Sequence, residues 1–191
     1  MNISNQAPFL TVKDYSVSQE IFDLYHDEKL DMLITSPQPS LENLGKYYES
    51  VDYISHTDSK RSLFEKAYHI VKSIALKNKL NLINSLQSNK GRILDIGSGT
   101  GDFLSVAKEN GWHTIGVEPS DKAKAIAKKK GVSFVGETGE LENHSFDVIS
   151  MWHVLEHVPN LDNQIKELKR LLKPNGTLII AVPNFKSFDA K

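Results

Sequence analysis

Two acidic residues and a glycine-rich turn carry the clearest chemistry in this sequence. Asp95 lies in an apolar run, Gly97, Gly99 and Gly101 follow it at alternating positions, and Glu118 closes a second apolar run. Glycines in this arrangement let the backbone turn tightly and leave no side chain between peptide groups and a ligand. Carboxylates beside such a turn suit a ligand that carries an ammonium group and hydroxyl groups.

The spacing of the glycines separates this turn from a dinucleotide-binding fingerprint. That fingerprint is Gly-x-Gly-x-x-Gly with a phosphate at the helix N-terminus, whereas the third glycine here comes one residue early. Asp95 would repel a pyrophosphate but attract an ammonium group, and Glu118 stands where a carboxylate could accept both hydroxyls of a ribose. An amine together with a ribose indicates S-adenosylmethionine.

The composition excludes several classes of protein. With 191 residues, of which 39% are hydrophobic, the chain can bury one sizeable core and a small appendage. Its 23 Lys and Arg against 24 Asp and Glu leave no basic field for nucleic acid. The absence of cysteine excludes disulfides and thiolate zinc sites, and no apolar run approaches a membrane span, so we expect a cytoplasmic protein without a membrane partner.

Short apolar runs alternate with helical periods from Lys90 onward. This alternation predicts an α/β fold, a Rossmann-like and mostly parallel sheet with helices on both faces. Asp121 and Asp162 suit helix starts, Gly111 and Gly131 suit helix ends, and residues 174–176, Pro-Asn-Gly, predict a turn. The predicted strands and helices occupy residues 92–96, 103–108, 113–117, 122–130, 132–135, 146–151, 161–172 and 177–182.

A long amphipathic helix is predicted from Ser62 to Leu86. Its apolar positions Leu63, Ala67, Ile70 and Ile74 repeat at helical spacing, so we expect this helix to pack on the sheet. The helix separates a predicted N-terminal region, residues 1–59, from a predicted cofactor-binding domain, residues 60–191.

The N-terminal region is predicted to hold a short helix at Leu41–Tyr48. Its tyrosines at positions 47, 48 and 53 fit either an aromatic lid over the site or simple packing.

These motifs together resemble the class I S-adenosylmethionine-dependent methyltransferases, in particular their small-molecule branch. The resemblance covers about half of the chain and rests on four motifs in order, which lie at residues 93–101, 116–119, 146–158 and 171–176. It implies that S-adenosylmethionine is the cofactor and S-adenosylhomocysteine the product. For the N-terminal region it implies a short hairpin near residues 25–31, without a metal. The resemblance also implies a cofactor site made of Asp95, Gly97, Ser98, Gly99, Gly101, Glu118, Pro119, Glu137 and Trp152.

The resemblance gives each of these residues a role. Asp95 orients the methionine ammonium, the glycines allow close approach of the amino-acid part, and Glu118 holds the ribose. Glu137 lies beside the adenine, at a position where relatives commonly carry an aspartate. Two alternatives stay open, because Asp95 could cap the following helix and Glu118 could be an exposed acid at a strand end.

A histidine after the fourth predicted strand is the candidate general base. His153 can take a proton from a hydroxyl or amine acceptor because imidazole titrates near neutrality, or it can merely shape the pocket. Trp152 fits a cofactor wall or the core, and Glu156 and His157 are expected to hold this loop in place. Methyl transfer itself needs alignment of acceptor, methyl and sulfur rather than a covalent intermediate.

The acceptor is expected to be a small molecule. The chain is nearly neutral, and it lacks the Asn- or Asp-Pro-Pro-aromatic stretch with which relatives bind nucleobase amines. The chain also ends just after the fifth predicted strand, so the sequence predicts a fold truncated there, with an edge that a homodimer would shield.

Two other functions remain as alternatives. One is a module that binds the cofactor without catalysis. The other is a zinc hydrolase, because His153-x-x-Glu156-His157 matches the inverted zinc-protease signature, although that would leave the glycine turn and Glu118 unexplained.

Overall fold

The computed structural model describes residues 6–15, 17–40, 43, 47 and 63–190. The chain forms two compact units, one of residues 1–59 with 184–191 and one of residues 60–183. Within the described residues, no helix is long and apolar enough to cross a membrane. Two predictions fall on residues outside those described. One is the short helix at Leu41–Tyr48, of which only Asn43 and Tyr47 are described, and the other concerns Tyr48 and Tyr53.

The first unit contains an antiparallel sheet of three strands, β1 (Leu10–Lys13), β2 (Ile21–Asp27) and β3 (Met32–Ser36), with β2 in the middle. A side chain organises the tight β2–β3 turn, since the Asp27 carboxylate accepts the backbone N–H groups of Lys29 and Leu30 at 2.9 and 3.1 Å. This Asx-type turn reverses the chain locally. The predicted hairpin is therefore confirmed.

The C-terminal residues belong to this first unit, although the sequence placed them with the second domain. The Phe185 ring lies 6.0 Å from that of Phe9 and 5.5 Å from that of His26, measured between centroids. Lys186 also forms an ion pair with Asp31 at 2.6 Å. Aromatic contacts and one ion pair thus hold residues 184–190 against the small sheet.

The second unit is built on a five-stranded sheet whose neighbouring strands are all parallel. The strand order is β6-β5-β4-β7-β8, so the order reverses at β4. Ligands of open parallel sheets bind outside the carboxyl ends of the strands at such a reversal. The strands are β4 (Arg92–Ile96), β5 (His113–Val117), β6 (Ser133–Phe134), β7 (Phe146–Trp152) and β8 (Leu172–Ala181).

Four helices accompany this sheet: α1 (Leu63–Leu86), α2 (Asp102–Glu109), α3 (Asp121–Lys129) and α4 (Leu161–Leu171). Side chains cap two of them, because Ser120 accepts the Ala123 N–H and Asn160 accepts the Asn163 N–H.

Buried side chains form two separate clusters on the two faces of the sheet. One includes Leu80, Ile83, Ile93 and Val148, and the other includes Leu94, Phe146, Ile149, Met151 and Leu168. Neighbouring residues along β4 and β7, such as Ile93 and Leu94, thus belong to different clusters. This is expected because successive side chains of a strand point to opposite faces of the sheet. The predicted Rossmann-like fold with helices on both faces is confirmed.

Helix α1 packs on the sheet as predicted, but through residues other than the repeat that indicated the helix. Ile70 and Ile74 are 62% and 54% exposed, whereas Leu80 and Ile83 are 4% and 0% exposed. The helix carries two apolar stripes on opposite sides, and the one in its C-terminal half, which includes Leu76, packs on the sheet. Periodicity identified a helix but could not tell which of two stripes meets the core.

The predicted turn at residues 174–176 lies within strand β8 instead of before it. Phe146 pairs with Leu172 and Val148 pairs with Thr177, so residues 173–176 bulge out opposite one residue of β7. Asn175 has φ 65°, the left-handed conformation that a turn requires. The turn chemistry was recognised correctly, but the strand continues on both sides of it.

Candidate functional site

The ends of three neighbouring strands bring the predicted site residues to one edge of the sheet. β4 lies between β5 and β7, and Asp95 pairs in register with Gly116 and Ser150. The turn after β4 is tied to β5 because the N–H groups of Gly97 and Ser98 donate to the Val117 carbonyl at 2.8 and 3.2 Å. Asp95, the glycine turn and Glu118 are therefore close together.

The glycine turn requires glycine for two different reasons. Gly97, Gly99 and Gly101 have φ of 71°, 54° and 71°, in the left-handed region that other residues rarely adopt. A Cβ at position 97 would lie 2.3 Å from Val154 Cγ2, and one at position 101 would lie 2.6 Å from Ala127 Cβ. Gly101 thus allows two helices to approach, a requirement of packing as well as of the turn.

Asp95 is a buried carboxyl group, 3% exposed, with one hydrogen bond from the Ser150 hydroxyl at 2.6 Å. Burial raises its pKa from 3.8 to about 7, an effect that the Ser150 hydrogen bond and the Lys79 charge oppose and the Glu118 charge reinforces. Gly101 is the N-cap residue of α2, so Asp95 does not cap that helix. A buried carboxyl group with so little stabilisation of its charge is suited to a cationic ligand.

Glu118 is also buried, 5% exposed, and is not an exposed strand-end acid. One of its oxygens accepts the Gly99 N–H at 2.8 Å and the other accepts the Ser120 N–H at 2.9 Å. The carboxylate thereby fastens the glycine turn and the start of α3 to the end of β5. Each oxygen keeps a second lone pair, which can accept a ligand hydroxyl.

Ser98 directs its side chain into the protein. A Cβ added at Gly116 would lie 2.6 Å from Ser98 Oγ, and this hydroxyl is buried without a hydrogen-bond partner among the described residues. Gly116 therefore makes room for the serine. Ser98 therefore presents its backbone, and not its hydroxyl, to the outer side of the turn.

Trp152 ends β7 in a half-buried position. Its ring meets Phe103 edge to face, with centroids 6.0 Å apart, and the ammonium of Lys79 lies 4.3 Å from its centroid. The indole Nε1 is buried and has no hydrogen-bond partner in the described part of the chain. The ring is therefore part of the edge of the core.

His153 follows Trp152 and is open to solvent, with its side chain 65% exposed. Its backbone continues the sheet, since its N–H donates to the Ala181 carbonyl at 2.9 Å, and its φ is 58°. Glu156 Oε1 lies 3.6 Å from His153 Nδ1 and 4.0 Å from His157 Nε2, so one carboxylate lies near both imidazoles.

The zinc-hydrolase alternative does not fit this geometry. That signature needs two imidazoles one turn apart on an α-helix. Here His153 follows a strand and Leu155–His157 form a 3₁₀ turn. The described residues contain no group of three or more potential metal ligands.

Three predicted residues lie away from these contacts. Pro119 and Glu137 are exposed, and Glu137 caps the 3₁₀ turn Thr138–Glu140 in a reciprocal capping box with Glu140. Tyr47, one of the candidate lid residues, packs in the first unit against Phe22, with ring centroids 6.1 Å apart.

Sequence reasoning missed Ser150 and Lys79. Ser150 is 0% exposed inside the apolar strand β7, and a buried hydroxyl in such a run signals a hydrogen bond to something nearby. Lys79 lies between Leu76 and Leu80 on α1, where it interrupts the buried stripe. Neither signal indicated that the residue lies near Asp95, because Asp95 is on another element.

The residues at this edge fit S-adenosylmethionine by their chemistry. A buried carboxyl group suits its ammonium, a side-chain-free turn suits close approach of its amino-acid part, and an indole N–H without an acceptor suits a polar ligand atom. The fold and these residues together define the class I S-adenosylmethionine-dependent methyltransferases.

Comparison with known proteins identifies the family. Residues 54–190 match the family described as a methyltransferase domain, and the chain belongs to it. It is 30% identical over 103 residues to a ubiquinone biosynthesis O-methyltransferase from Hahella chejuensis, covering 49% of this chain and 43% of that protein. It is 36% identical over 105 residues to an uncharacterized protein of Methanocaldococcus jannaschii, covering 53% of this chain and 49% of that protein.

Solved structures of S-adenosylmethionine-dependent methyltransferases share the fold of this chain. A structure from Thermotoga maritima, described as a SAM-dependent methyltransferase and possible histamine N-methyltransferase, is 32% identical with TM-score 0.53, covering 65% of this chain and 59% of that one. A SAM-dependent methyltransferase from Archaeoglobus fulgidus, 23% identical with TM-score 0.55, shares the fold over 66% of this chain and 60% of that one. The chain spans about half the length of the curated relatives described above.

The chain is thus a member of the S-adenosylmethionine-dependent methyltransferase family, and the prediction of the family is confirmed.

Proposed function

We propose that this chain methylates a small-molecule acceptor, with Asp95 binding the ammonium of S-adenosylmethionine and His153 taking the proton of the acceptor. The single observation that carries the proposal is the Asp95 carboxyl group, buried beside a left-handed glycine turn at the reversal of strand order. Few structural roles need a carboxyl group in such a place, whereas a cationic ligand does.

The cofactor supplies the methyl group and leaves as S-adenosylhomocysteine. In this proposal Asp95 orients the ammonium, the backbone from Gly97 to Gly101 lies against the amino-acid part, and the spare lone pairs of Glu118 accept the ribose hydroxyls. Ser98 contributes through its backbone, and Trp152 forms a wall. Contacts of Pro119 with the cofactor and of Glu137 with the adenine remain predictions.

His153 is proposed as the general base because its imidazole is exposed just beyond the end of β7 and Glu156 lies near one of its nitrogens. The other nitrogen can accept a proton from a hydroxyl or amine as the acceptor attacks the methyl group. The left-handed backbone at this non-glycine residue agrees with a functional position.

A small acceptor agrees with two similar proteins. The Hahella chejuensis relative is named a ubiquinone biosynthesis O-methyltransferase, and the Thermotoga maritima structure is described as a possible histamine N-methyltransferase. The near-neutral charge, 23 basic against 24 acidic residues, also disfavours a nucleic acid acceptor. The atom that receives the methyl group is left open by these two names.

Calorimetric titration with S-adenosylmethionine tests the proposal. The wild type should bind, Asp95→Ala should abolish binding, and His153→Ala should bind equally well but turn over more slowly in an acceptor screen scored by S-adenosylhomocysteine release. Equal loss of binding in both variants would refute the division of roles. Binding without turnover on any acceptor would favour the non-catalytic module.

We further propose a homodimer that covers the β8 edge of the sheet. Among the described strands β8 is an edge strand; Leu178 within it is 37% exposed, and Val182 directly after it is 47% exposed. Light scattering that gives a monomer at all concentrations would rule this out. A cytoplasmic location, proposed from the lack of cysteine, is checked by fractionation.

A further inference from the structure

A groove of about 380 Å³ lies at the edge of the parallel sheet where its strands begin. Asp95, Glu118 and the glycine turn lie at the opposite edge, where the strands end. Clefts of about 300–1,000 Å³ are of the size that holds a small molecule. The groove is lined by the starts of β4, β5 and β6 and by the end of α2, including Arg92, Lys108, His113, Thr114 and Ser133.

The short strand β6 leaves this groove open. It has two residues and pairs with β5 only from Ile115 onward, so no described strand lies beside His113 and Thr114 on that side. The Lys108 ammonium donates to the Gly131 carbonyl at 2.7 Å, which joins the end of α2 to the loop before β6. The groove therefore lies between backbone segments that the fold holds in place.

The charged side chains of the groove are positive. Arg92 and Lys108 line it together with His113, whereas none of the described residues in its walls is acidic. The Asp147 carboxylate accepts the backbone N–H of Arg92 at 2.7 Å, but it is already paired with Lys173 at 2.9 Å. An anion in the groove would therefore meet positive charges without a competing negative charge in the walls.

Arg92 differs from the other described arginine, Arg170, in the use of its N–H donors. The Arg170 guanidinium donates to both carboxylate oxygens of Glu167, at 2.8 and 2.7 Å, and to three further oxygens of the protein. The Arg92 guanidinium forms no hydrogen bond or ion pair with any residue that the structure describes. Its donors are therefore available to a ligand.

An aromatic ring restrains the Arg92 guanidinium. Its Cζ atom lies 4.9 Å from the centroid of the Phe146 ring, and Phe146 is fully buried in the core. A cation beside an aromatic ring is held there without using its N–H groups. Arg92 also pairs in register with His113, so the two side chains leave the sheet on the same face. The planar donor group is thus positioned before any ligand arrives.

The remaining polar groups indicate which anion fits. The hydroxyls of Thr114 and Ser133 form no hydrogen bond within the described part of the chain. Two cations and two hydroxyl donors suit an anion with several oxygens. A phosphate group on an organic molecule carries about −1.5 to −2 charges and three acceptor oxygens, and an arginine fork binds it through two parallel hydrogen bonds. A carboxylate has fewer oxygens and would leave more of these donors unused.

We propose that this groove is a second ligand-binding site, which takes the phosphate group of a small phosphorylated molecule and holds it through Arg92. Lys108 and the two hydroxyls add contacts, and the remaining volume holds the organic part. The site goes beyond the proposed function, because neither Asp95 nor the cofactor contributes to it. Arg92 and Asp95 are three residues apart on β4, about 10 Å, and lie near opposite ends of that strand.

Amide NMR titrations test this site by location and by affinity. The probes are ribose 5-phosphate, inorganic phosphate, and ribose, which lacks the phosphate. The proteins are the wild type, Arg92→Met, Arg92→Lys and the control Lys122→Met, an exposed lysine at the start of α3. Methionine keeps an apolar contact with Phe146 and removes the charge, and Arg92→Gln replaces that variant if it does not fold.

Ribose 5-phosphate should shift the amide signals of residues 92, 113, 114 and 133 of the wild type in a saturable way, whereas ribose should not. Inorganic phosphate should shift the same signals but bind more weakly. Arg92→Met should weaken the binding of ribose 5-phosphate about tenfold or more, the size of a charge-assisted contact, and Lys122→Met should stay within about twofold of the wild type. Arg92→Lys should be intermediate, because it keeps the charge and loses the fork.

Four outcomes would overturn the inference. They are the absence of saturable shifts in the wild type, shifts confined to residues 97–101 at the cofactor end of the sheet, and an affinity that Arg92→Met leaves unchanged, which would indicate an adventitious ion only. Equal affinity for inorganic phosphate and ribose 5-phosphate would assign the groove to free phosphate instead.

The two sites can be separated in the same experiments. Asp95→Ala should bind ribose 5-phosphate as the wild type does, and Arg92→Met should bind S-adenosylmethionine as the wild type does. Loss of both ligands in either variant would contradict two independent sites. A wild type that binds S-adenosylmethionine but not the phosphates would overturn only the inference, and the reverse result would overturn only the proposed function.

Discussion

The ends of β4 and β5 each carry a buried carboxyl group, and the protein treats the two differently. Glu118 is hydrogen-bonded by two backbone N–H groups, from Gly99 and Ser120. Asp95 receives one hydroxyl hydrogen bond, from Ser150, and burial raises its pKa to about 7. The two residues are 5% and 3% exposed, so the difference lies in their partners and not in their burial.

Glu118 is therefore a carboxylate that organises the site, whereas Asp95 is a carboxyl group available to a ligand. Backbone donors stabilise the charge of Glu118 whether or not a cofactor is bound, and they fasten two loops to the sheet. Asp95 lacks such donors, so its ionised form becomes favourable when a cation arrives. The following predictions measure that contrast, from the largest expected effect to the smallest.

Asp95→Asn should stabilise the free protein at pH 8. The folded Asp95 holds its proton more tightly than the unfolded chain does, so this group makes stability fall as pH rises from about 4 to about 7. The amide avoids that loss, which is at most about 4 kcal/mol for a rise of about three pKa units. Chemical denaturation of both proteins at pH 4 and pH 8 measures it, and an equal difference at both pH values would contradict it.

Asp95→Asn should also lower the affinity for S-adenosylmethionine about a hundredfold or more. The neutral amide leaves the ligand ammonium without its counter-charge in a buried place, a loss of about 3–5 kcal/mol. Calorimetry measures the affinity, and His153→Ala serves as the control with intact binding. A more stable variant that still binds like the wild type would show that Asp95 is not the ammonium site.

Glu118→Gln should destabilise the protein, in contrast to Asp95→Asn. Glutamine has one acceptor oxygen, so its NH₂ group would face either the Gly99 or the Ser120 N–H, at a cost of about 1–3 kcal/mol. Denaturant titration at pH 7 measures the change. Glu140→Gln, in an exposed capping box, is a control with a smaller expected effect. Unchanged stability would contradict the organising role of Glu118.

The affinity for S-adenosylmethionine should fall about tenfold per pH unit below pH 7. The ammonium needs the ionised form of Asp95, and the pKa of that group is about 7 in the free protein. The α-amino group of the ligand loses its own proton above about pH 8, so binding should be strongest between the two values. Titrations at half-unit steps check this, and a flat profile from pH 5 to pH 7 would refute it.

Ser150→Ala should have the smallest effect, about 1 kcal/mol in binding at pH 7. Without the Ser150 hydroxyl the pKa of Asp95 rises further, so less of the carboxyl group is ionised. The pH midpoint of binding should move upward with it. Ser145→Ala, whose hydroxyl bonds the Glu142 carbonyl, is the matched control and should leave the midpoint unchanged.

Local signals in the sequence predicted most of the fold. Strand and helix periods and the glycines at helix ends all depend on near neighbours in the chain, and the structure contains them. The residues of α1 that face the sheet could not be identified in this way, because Ile70, Ile74, Leu80 and Ile83 are all apolar, and only the sheet decides which of them it covers.

The candidate site was predicted in part for the same reason. Asp95, Glu118 and the glycines could be recognised from the sequence because each follows or ends an apolar run. Parallel strands bring such ends to one edge of the sheet. Ser150 and Lys79 gave no functional signal, because a lone serine in a strand and a lone lysine in a helix are ordinary until their distance to Asp95 is known.

By itself the sequence determined the order of strands and helices, the turn that excludes side chains, and the acids at two strand ends, since all of these follow from the chemistry of adjacent residues. The tertiary structure decided which acid is satisfied and which is not. Charge stabilisation depends on burial and on donors from other elements. The turn after β4 and the loop after β5 each place one N–H group on Glu118, whereas β7 brings one hydroxyl to Asp95 and α1 brings an ammonium that lies outside ion-pair distance.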